Sequence, residues 1–500
     1  MPHDRPHDGQ LRQVPTLLLL ASILGFTAVR ALVAVQAGLT EDEAYYRLWA
    51  LGPALSYLDH PPFVAWMIAA GRAMAGDNPL GIRLGTLVGG IVGPLALWRT
   101  ARLMFGNQVA RRAVWFSLAM PLLAAGGVII TPDTPSVLFW GFAAWALAEL
   151  HVTRNANWWL LVGLFAGLGL LSKYTNLFVG VAIALWLALL PANWRWFRSW
   201  QLWAGSLLAA LFTLPVVVWN AHHQWASFAK QFGRAAASDG LSARYLAEFL
   251  GAYLALASPL IAVLAVVGLW KVVSRAAQER DQACAMVAAG ALPLLAYLVQ
   301  HALYSRVQPN WAAPLYPALA VCAAIAVEAG GFRPRLQLLF ARLANAGIAI
   351  GVLMSALLYV HALRPLVART GVKDPVSQMR GWPVFAARVD QLRLANGACW
   401  IATSSYGTRG QLAYALRLRV PVVQLDEPLR YVHLPRLPAD TFRCPALYVE
   451  LQRRASSSWL KRQFRTVTRL PSFRRRHGDA SIAGYAIYRL ADPVGSLPPQ

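Results

Sequence analysis

The chain is poor in acid: against 46 Lys plus Arg it holds 22 Asp plus Glu, and charged residues make up only 14% of its 500 positions. With 57% hydrophobic residues, that scarcity of charge excludes an ordinary soluble domain and suits a polytopic membrane protein. Cysteine is scarce too. The four are Cys284, Cys322, Cys399 and Cys444, and they show no zinc-type Cys/His spacing. The first two fall in apolar runs and read as inert core residues. The last two lie in the C-terminal part, where a disulfide is open if that part is outside the cytoplasm. No internal repeat is evident, which counts against a transporter built from inverted repeats. The net charge of +24 would suit nucleic acid. Its cations, however, sit between apolar runs and in the tail, so membrane lipid headgroups and topology account for them, and no nucleic acid is expected.

What is present is a series of apolar runs near the length of about 20 residues that crosses a bilayer as helix. Eleven spans are expected, near 15–36, 80–104, 111–130, 134–152, 157–171, 174–191, 201–219, 247–270, 283–303, 310–329 and 341–363. The first run shows no small-residue cleavage site and is expected to stay as an anchor behind a cytoplasmic tail, 1–14. Phe63–Ala75 is apolar but short, and reads as an interfacial helix within a loop spanning 37–79. Arginine and lysine concentrate in alternate loops (Arg99, Arg102, Arg111, Arg112; Arg195, Arg198; Lys271, Arg275, Arg280), which makes those loops cytoplasmic. The loop 37–79, Thr131-Pro132-Asp133, the Lys173 turn, His222-His223 and Gln308-Pro309-Asn310 then share the outer face. After about Arg364 the long apolar runs stop. The segment 365–500 reads as a small α/β domain on that same face, with strands at Ala398–Ala402, Ala446–Glu450 and Ala486–Tyr488 and a helix at Gly410–Leu416. The ends, Met1–Gln10 and Pro493–Gln500, are expected to be disordered.

In so acid-poor a chain, four carboxylates gather in one stretch: Glu41, Asp42, Glu43 and Asp59. Carboxylates beside a bilayer are costly unless they pair with cations, bind metal or move protons. Asp42 is the candidate general base, with Glu43 and Asp133 as further candidate catalytic acids. For Glu41-Asp42-Glu43 the alternative is a helix start, where acids are favoured; for Asp133 it is a cap on the next helix. In Asp59-His60-Pro61-Pro62 the residue before proline is held extended, which either fixes Asp59 and His60 facing the site or forms an ordinary turn. Lys173 and Tyr174 interrupt an apolar stretch, and Lys173 is a candidate phosphate partner, with snorkelling to headgroups as the alternative. Arg30 and Arg83, near span ends, either snorkel or meet phosphate. Tyr45, Asp59, His60, Lys173, Tyr174, Arg306 and Asn310 complete the candidate substrate-binding set. No cofactor is certain; a divalent metal on Asp42, Asp59 and His60 is open, and no metal ligand is assigned.

At these residues the chain resembles the bacterial branch of the protein O-mannosyltransferase type of glycosyltransferase, in the GT-C superfamily, related to the lipid A aminoarabinose transferases. The resembling pieces are Asp42-Glu43-Ala44-Tyr45-Tyr46, Tyr57-Leu58-Asp59-His60-Pro61-Pro62, Thr131-Pro132-Asp133-Thr134-Pro135, Leu171-Ser172-Lys173-Tyr174-Thr175 and Gln308-Pro309-Asn310-Trp311. The resemblance implies a polytopic helical GT-C fold with a C-terminal periplasmic α/β domain, in the bacterial inner membrane. It implies transfer of a sugar from a polyprenyl-phosphate-sugar donor to a lipid or glycan acceptor, protein being a further option. It also makes Asp42 the acidic residue of the first loop taken as catalytic, Asp133 a second acidic site residue, and Lys173 a cation near the donor phosphate. The aminoarabinose transferases carry an acid-lysine pair where this chain has Asp59-His60, so the donor sugar need not be theirs. Ser404-Ser405-Tyr406-Gly407-Thr408 and Gln411-Leu412-Ala413-Tyr414 resemble the terminal domain of that branch, with no role implied. A polyprenyl-linked lipid flippase and a non-catalytic envelope-assembly protein are the competing classes. The polar residues gather at one face rather than at the midplane, which disfavours the flippase.

Overall fold

The computed structural model describes residues 8–236, 240–328, 333–366 and 374–495. Of the expected disordered ends, residues 1–7 and 496–500 lie outside that description; residues 8–10 begin the first helix and Pro493 ends a strand. The chain divides into two compact units: residues 1–34, 59–64 and 83–359 form the first, and 35–58, 65–82 and 360–500 the second.

The first unit is helical. Among the described residues, seven helices are long and apolar enough to cross a membrane: Thr16–Gln36, Pro79–Phe105, Asp133–Thr153, Trp200–His222, Pro259–Gln278, Gln282–Ala302 and Pro334–Leu363. An eighth span arises if Tyr174–Leu189 and Pro191–Arg198, bent by 112°, are one. The chain is thus a polytopic helical membrane protein, and among the described residues seven or eight helices, rather than the eleven expected, meet that length. Trp158–Leu170 and Leu315–Glu328 are short apolar helices. The expected span 247–270 is broken between Leu256 and Pro259, where Ser258 takes a left-handed φ of 67°. The expected span 111–130 breaks at Met120, held extended by Pro121, which cannot continue the hydrogen-bond ladder.

Small residues set the packing. The helices Trp158–Leu170 and Trp200–His222 cross so closely that a Cβ on Gly163 would lie 2.0 Å from the Gly205 carbonyl oxygen. Without a hydrophobic driving force inside lipid, such backbone approach is what holds helices together. Leu315–Glu328 is alanine-rich and buried along nearly its whole length, against Pro259–Gln278 and Asn107–Ala119. Leucines such as Leu207, Leu211, Leu353 and Leu357 face outward, as a lipid-facing surface requires. Ion pairs Arg99–Glu149 (2.7 Å), Arg112–Glu328 (2.9 Å) and Arg275–Asp281 (2.5 Å) tie helix ends together.

The second unit is α/β. Its five-stranded sheet comprises β1 (Trp400–Thr403), β2 (Val422–Gln424), β3 (Ala446–Leu451), β4 (Phe464–His477) and β5 (Ala480–Pro493), in the order β2-β1-β3-β5-β4. β1 runs parallel to both neighbours; β5 is antiparallel to β3 and β4. The expected strands match β1, β3 and part of β5, and the expected helix is Tyr406–Ala415. β4 carries Pro471 and five arginines and lies at the edge, where proline and charge are tolerated. Cys399 and Cys444 are bridged, with Cα atoms 5.8 Å apart, at the starts of β1 and β3. The unit also contains the helix Glu41–Trp49 and most of Phe63–Ala75.

Candidate functional site

In the first unit, three polar residues from separate loops meet. Lys173 Nζ lies 2.6 Å from Asp133 Oδ1, and Asn310 Nδ2 donates to Asp133 Oδ2 at 2.8 Å. Asp133 and Lys173 are 8% and 7% exposed, so each charge is compensated largely by the other. Local sequence explains the placement. Thr131 and Thr134 bond across the Thr-Pro-Asp-Thr turn, and Pro132 occupies the helix cap position. The Asp133 carboxylate therefore does not cap its helix but projects to Lys173. Lys173 is extended (φ −159°, ψ 140°) after the helix ending at Leu170, and Asn310 sits on the turn Pro309–Ala312.

Asp59 and His60 lie in the same unit. Lys230 Nζ is 3.2 Å from Asp59 Oδ1, and the Gln231 amide donates to the Asp59 carbonyl. Burial, followed by the charge on Lys173, pushes His60 down to about 4, against the opposing carboxylates of Asp59 and Asp133. His60 is therefore a neutral imidazole near pH 7. Tyr174 shares a 2.8 Å hydrogen bond with Ser227. Arg306 is mostly exposed and pairs with Glu248 at 2.9 Å. His223 stacks on Trp219 at 4.1 Å. Beside Asp133 and Asn310 lies a cavity of about 360 Å³, lined by Leu138, Trp140, Ile183, Val287 and the cation Arg30. Arg30 is 3% exposed, and a Cβ on Gly127 would fall 2.8 Å from its Cδ, so glycine there makes room for it.

Asp42, Glu43 and Tyr45 belong to the second unit. Thr40 caps the helix Glu41–Trp49 in a reciprocal box: Glu43 N–H donates to Thr40 Oγ1 (3.1 Å), and Thr40 N–H to Glu43 Oε2 (2.9 Å). Glu43 is fully buried. The helix-start alternative thus describes Glu43. Asp42 is different: it is partly exposed and accepts a 3.0 Å hydrogen bond from Tyr406. Tyr45 receives an Arg430 N–H at 3.2 Å and packs 4.9 Å from the Tyr406 ring. Glu41 is raised above the usual carboxylate range by burial, with Arg475 opposing. Among the described residues, no group of three His, Cys, Asp or Glu could hold a metal ion.

Residues 59–219 match the family model described as dolichyl-phosphate-mannose-protein mannosyltransferase. The crystal structure of ArnT from Cupriavidus metallidurans bound to undecaprenyl phosphate superposes with a TM-score of 0.64, covering 97% of this chain and 99% of that one at 15% identity. The chain has the GT-C fold. This GT-C chain is 28% identical over 305 residues to the lipid A galacturonosyltransferase RgtD of Rhizobium johnstonii, covering 60% of the chain and 63% of the relative. It is 29% identical over 163 residues to the undecaprenyl phosphate-alpha-4-amino-4-deoxy-L-arabinose arabinosyl transferase of Pseudomonas aeruginosa, covering 31% of the chain and 29% of the relative. The matched region thus spans less than two thirds of either relative. With its apolar helices and these relatives, the GT-C chain is a multi-pass protein of the bacterial inner membrane.

Sequence reasoning singled out Asp133, Lys173 and Asn310, and the structure joins them. It gave Lys230 and Gln231 no site role, although an amphipathic segment beside the outer loops was a readable signal. It left Tyr406 without a role, and no local signal links it to Asp42, 364 residues away.

Proposed function

We propose that this chain is an integral-membrane glycosyltransferase that moves a sugar from a polyprenyl-phosphate donor to a lipid or glycan acceptor at the periplasmic face. The carrying observation is a largely apolar cavity inside the helical unit whose lining includes Asp133, Asn310 and Arg30. Apolar walls suit an isoprenoid chain, and a buried guanidinium suits its phosphate. Lys173 already pairs with Asp133, so Arg30 carries the phosphate charge and Lys173 adds to the field. In the step itself, Asp42 accepts the acceptor hydroxyl proton and the oxygen bonds to the anomeric carbon. The carbon–oxygen bond to phosphate breaks, and polyprenyl phosphate leaves with the electron pair. Attack opposite the leaving group inverts the anomeric centre. The relatives' names favour undecaprenyl phosphate as carrier and lipid A as acceptor. The Cys399–Cys444 bridge favours the C-terminal domain in the oxidising periplasm, as does the concentration of Arg and Lys in the opposite loops.

The test is transfer of labelled sugar by the purified protein in lipid, across a panel of undecaprenyl-phosphate sugars with lipid A as acceptor. Product from one donor, lost in Asp42→Asn with donor binding retained, is expected. No transfer from any donor, with lipid movement across the bilayer unaffected by the substitution, would favour a flippase.

A further inference from the structure

The Ser404–Thr408 segment of the C-terminal domain has no role in the reaction as written, yet it reaches the proposed base. We propose that Tyr406 is the positioning residue of Asp42: its phenol hydroxyl fixes the carboxylate in the orientation from which it takes the acceptor proton. This rests on Asp42 being the base.

Four observations carry it. The first is the hydrogen bond itself, Tyr406 Oη to Asp42 Oδ1 at 3.0 Å. The second is that the phenol is delivered by a braced path. Glu450 Oε2 accepts from Thr403 Oγ1 (3.0 Å) and from Ser404 N–H (2.9 Å) at the end of β1, and Ser405 caps the helix Tyr406–Ala415 by accepting the Thr408 N–H. The third is a dock that leaves no slack. A Cβ on Gly407 would lie 2.7 Å from Glu41 Oε2, one on Gly410 would lie 2.8 Å from the Ala44 and Tyr45 backbone, and Gln411 Nε2 donates to the Leu39 carbonyl at 2.7 Å. The fourth is the ring's own setting, 4.9 Å from Tyr45 and 5.0 Å from the Arg430 guanidinium.

The chemistry favours a phenol here. A phenol is a neutral donor, so it orients the carboxylate without adding a charge beside it. Burial, and then the charge on Asp42, keeps the Tyr406 hydroxyl protonated, so it acts as a donor. The charged and titratable groups facing the pair within this unit include Glu41 on the same helix, itself faced by Arg475, Arg454 and Glu450, with Arg430 from the Pro428–Tyr431 turn and Tyr45. Glu41 can titrate on an acid limb of its own, so the comparison is made in wild type and in Glu41→Gln.

The experiment is Tyr406→Phe in the full chain in lipid, read by kcat, donor KM, pH profile and thermal unfolding. Phenylalanine keeps the ring and removes one oxygen. Loss of a hydrogen bond to a charged group predicts a kcat lower by roughly tenfold or more, with KM within about twofold. The acid limb should move to higher pH, because the ionised carboxylate loses a donor, and should do so in both backgrounds. In Asp42→Asn, adding Tyr406→Phe should cost nothing further. Gly407→Ala, which keeps the phenol but pushes its helix off Glu41, should move the same limb. An unchanged kcat and limb in a folded Tyr406→Phe protein overturns the proposal. A fall in unfolding temperature with an unmoved limb also overturns it, since that marks a packing role. Absence of transfer by wild type overturns the transferase reading, and this proposal with it.

Discussion

Asp133 and Asp42 are both acids at loop–helix junctions, but the two units treat them oppositely. Asp133 is nearly enclosed and bonded to an ammonium and an amide, at 2.6 and 2.8 Å. Asp42 is half-open and bonded to a neutral phenol at 3.0 Å. A carboxylate locked to a buried lysine has its charge compensated, and its value lies in holding a cation still. A carboxylate that accepts from a phenol is held in orientation by a neutral donor. Under the proposed transfer, the fixed charge belongs to the helical unit and the proton acceptor to the α/β unit.

The largest expected effect tests the proton-transfer half. Asp42→Asn should cut turnover by about 10²–10⁴-fold, the usual worth of a general base, with donor binding unchanged. Equal loss of turnover and donor binding would erase the distinction from Asp133. The charge-holding half should break differently. Lys173→Met leaves Asp133 buried without its cation, so the protein should lose about 3–5 kcal/mol of stability. Adding Asp133→Asn to Lys173→Met should recover part of that loss, measured as unfolding temperature in lipid. If Lys173→Met changes turnover but not stability, the pair is not the closed unit its geometry describes.

A smaller effect concerns what holds Tyr406 in place. The Cys399–Cys444 bridge closes a loop of sequence separation 45 at the base of β1, the strand that leads to Tyr406. Replacing both cysteines by serine should cost about 2–4 kcal/mol of stability in the α/β unit. Reductant should destabilise the wild type to the same degree and leave the double-serine protein unaffected. The Lys173–Asp133 unit should show no such redox dependence.

How far these features can be read from sequence follows from the same contrast. Asp133, Lys173 and Asn310 stand out because a polar residue at the edge of an apolar run is expensive and therefore conspicuous. Helix breaks were legible in principle: Met120-Pro121 and Ser258-Pro259 each place proline after the break, but the apolar runs around them hide it. The capping box on Thr40 and Glu43 was readable as a spacing, whereas the Asp42–Tyr406 bond was not, because it depends on how a sheet 364 residues away delivers one side chain. Arg30 was visible as a cation in an apolar span, but its neighbours Gly90 and Gly127, which open the space around it, mean something only in three dimensions.

The smallest effect sharpens the comparison through pH. His60 has its folded-state value depressed to about 4 from an ordinary 6.5, by burial first and by the Lys173 charge next. Between those values the unfolded chain binds a proton that the folded chain refuses, so stability rises with pH through this window. The contribution is whole above about 6.5 and is lost as the medium is acidified toward 4. Unfolding temperature in lipid should therefore fall on acidification, and His60→Gln, which cannot titrate, should flatten that fall. In Lys173→Met the cationic neighbour is gone while Asp59 and Asp133 remain, so folded His60 should titrate at higher pH: the lower edge of the acid-sensitive window rises, its upper edge near 6.5 stays, and the total loss on acidification shrinks. If the lower edge stays put in Lys173→Met, the Lys173 charge does not reach His60, and the fixed-charge reading of the helical unit fails at its most exposed point.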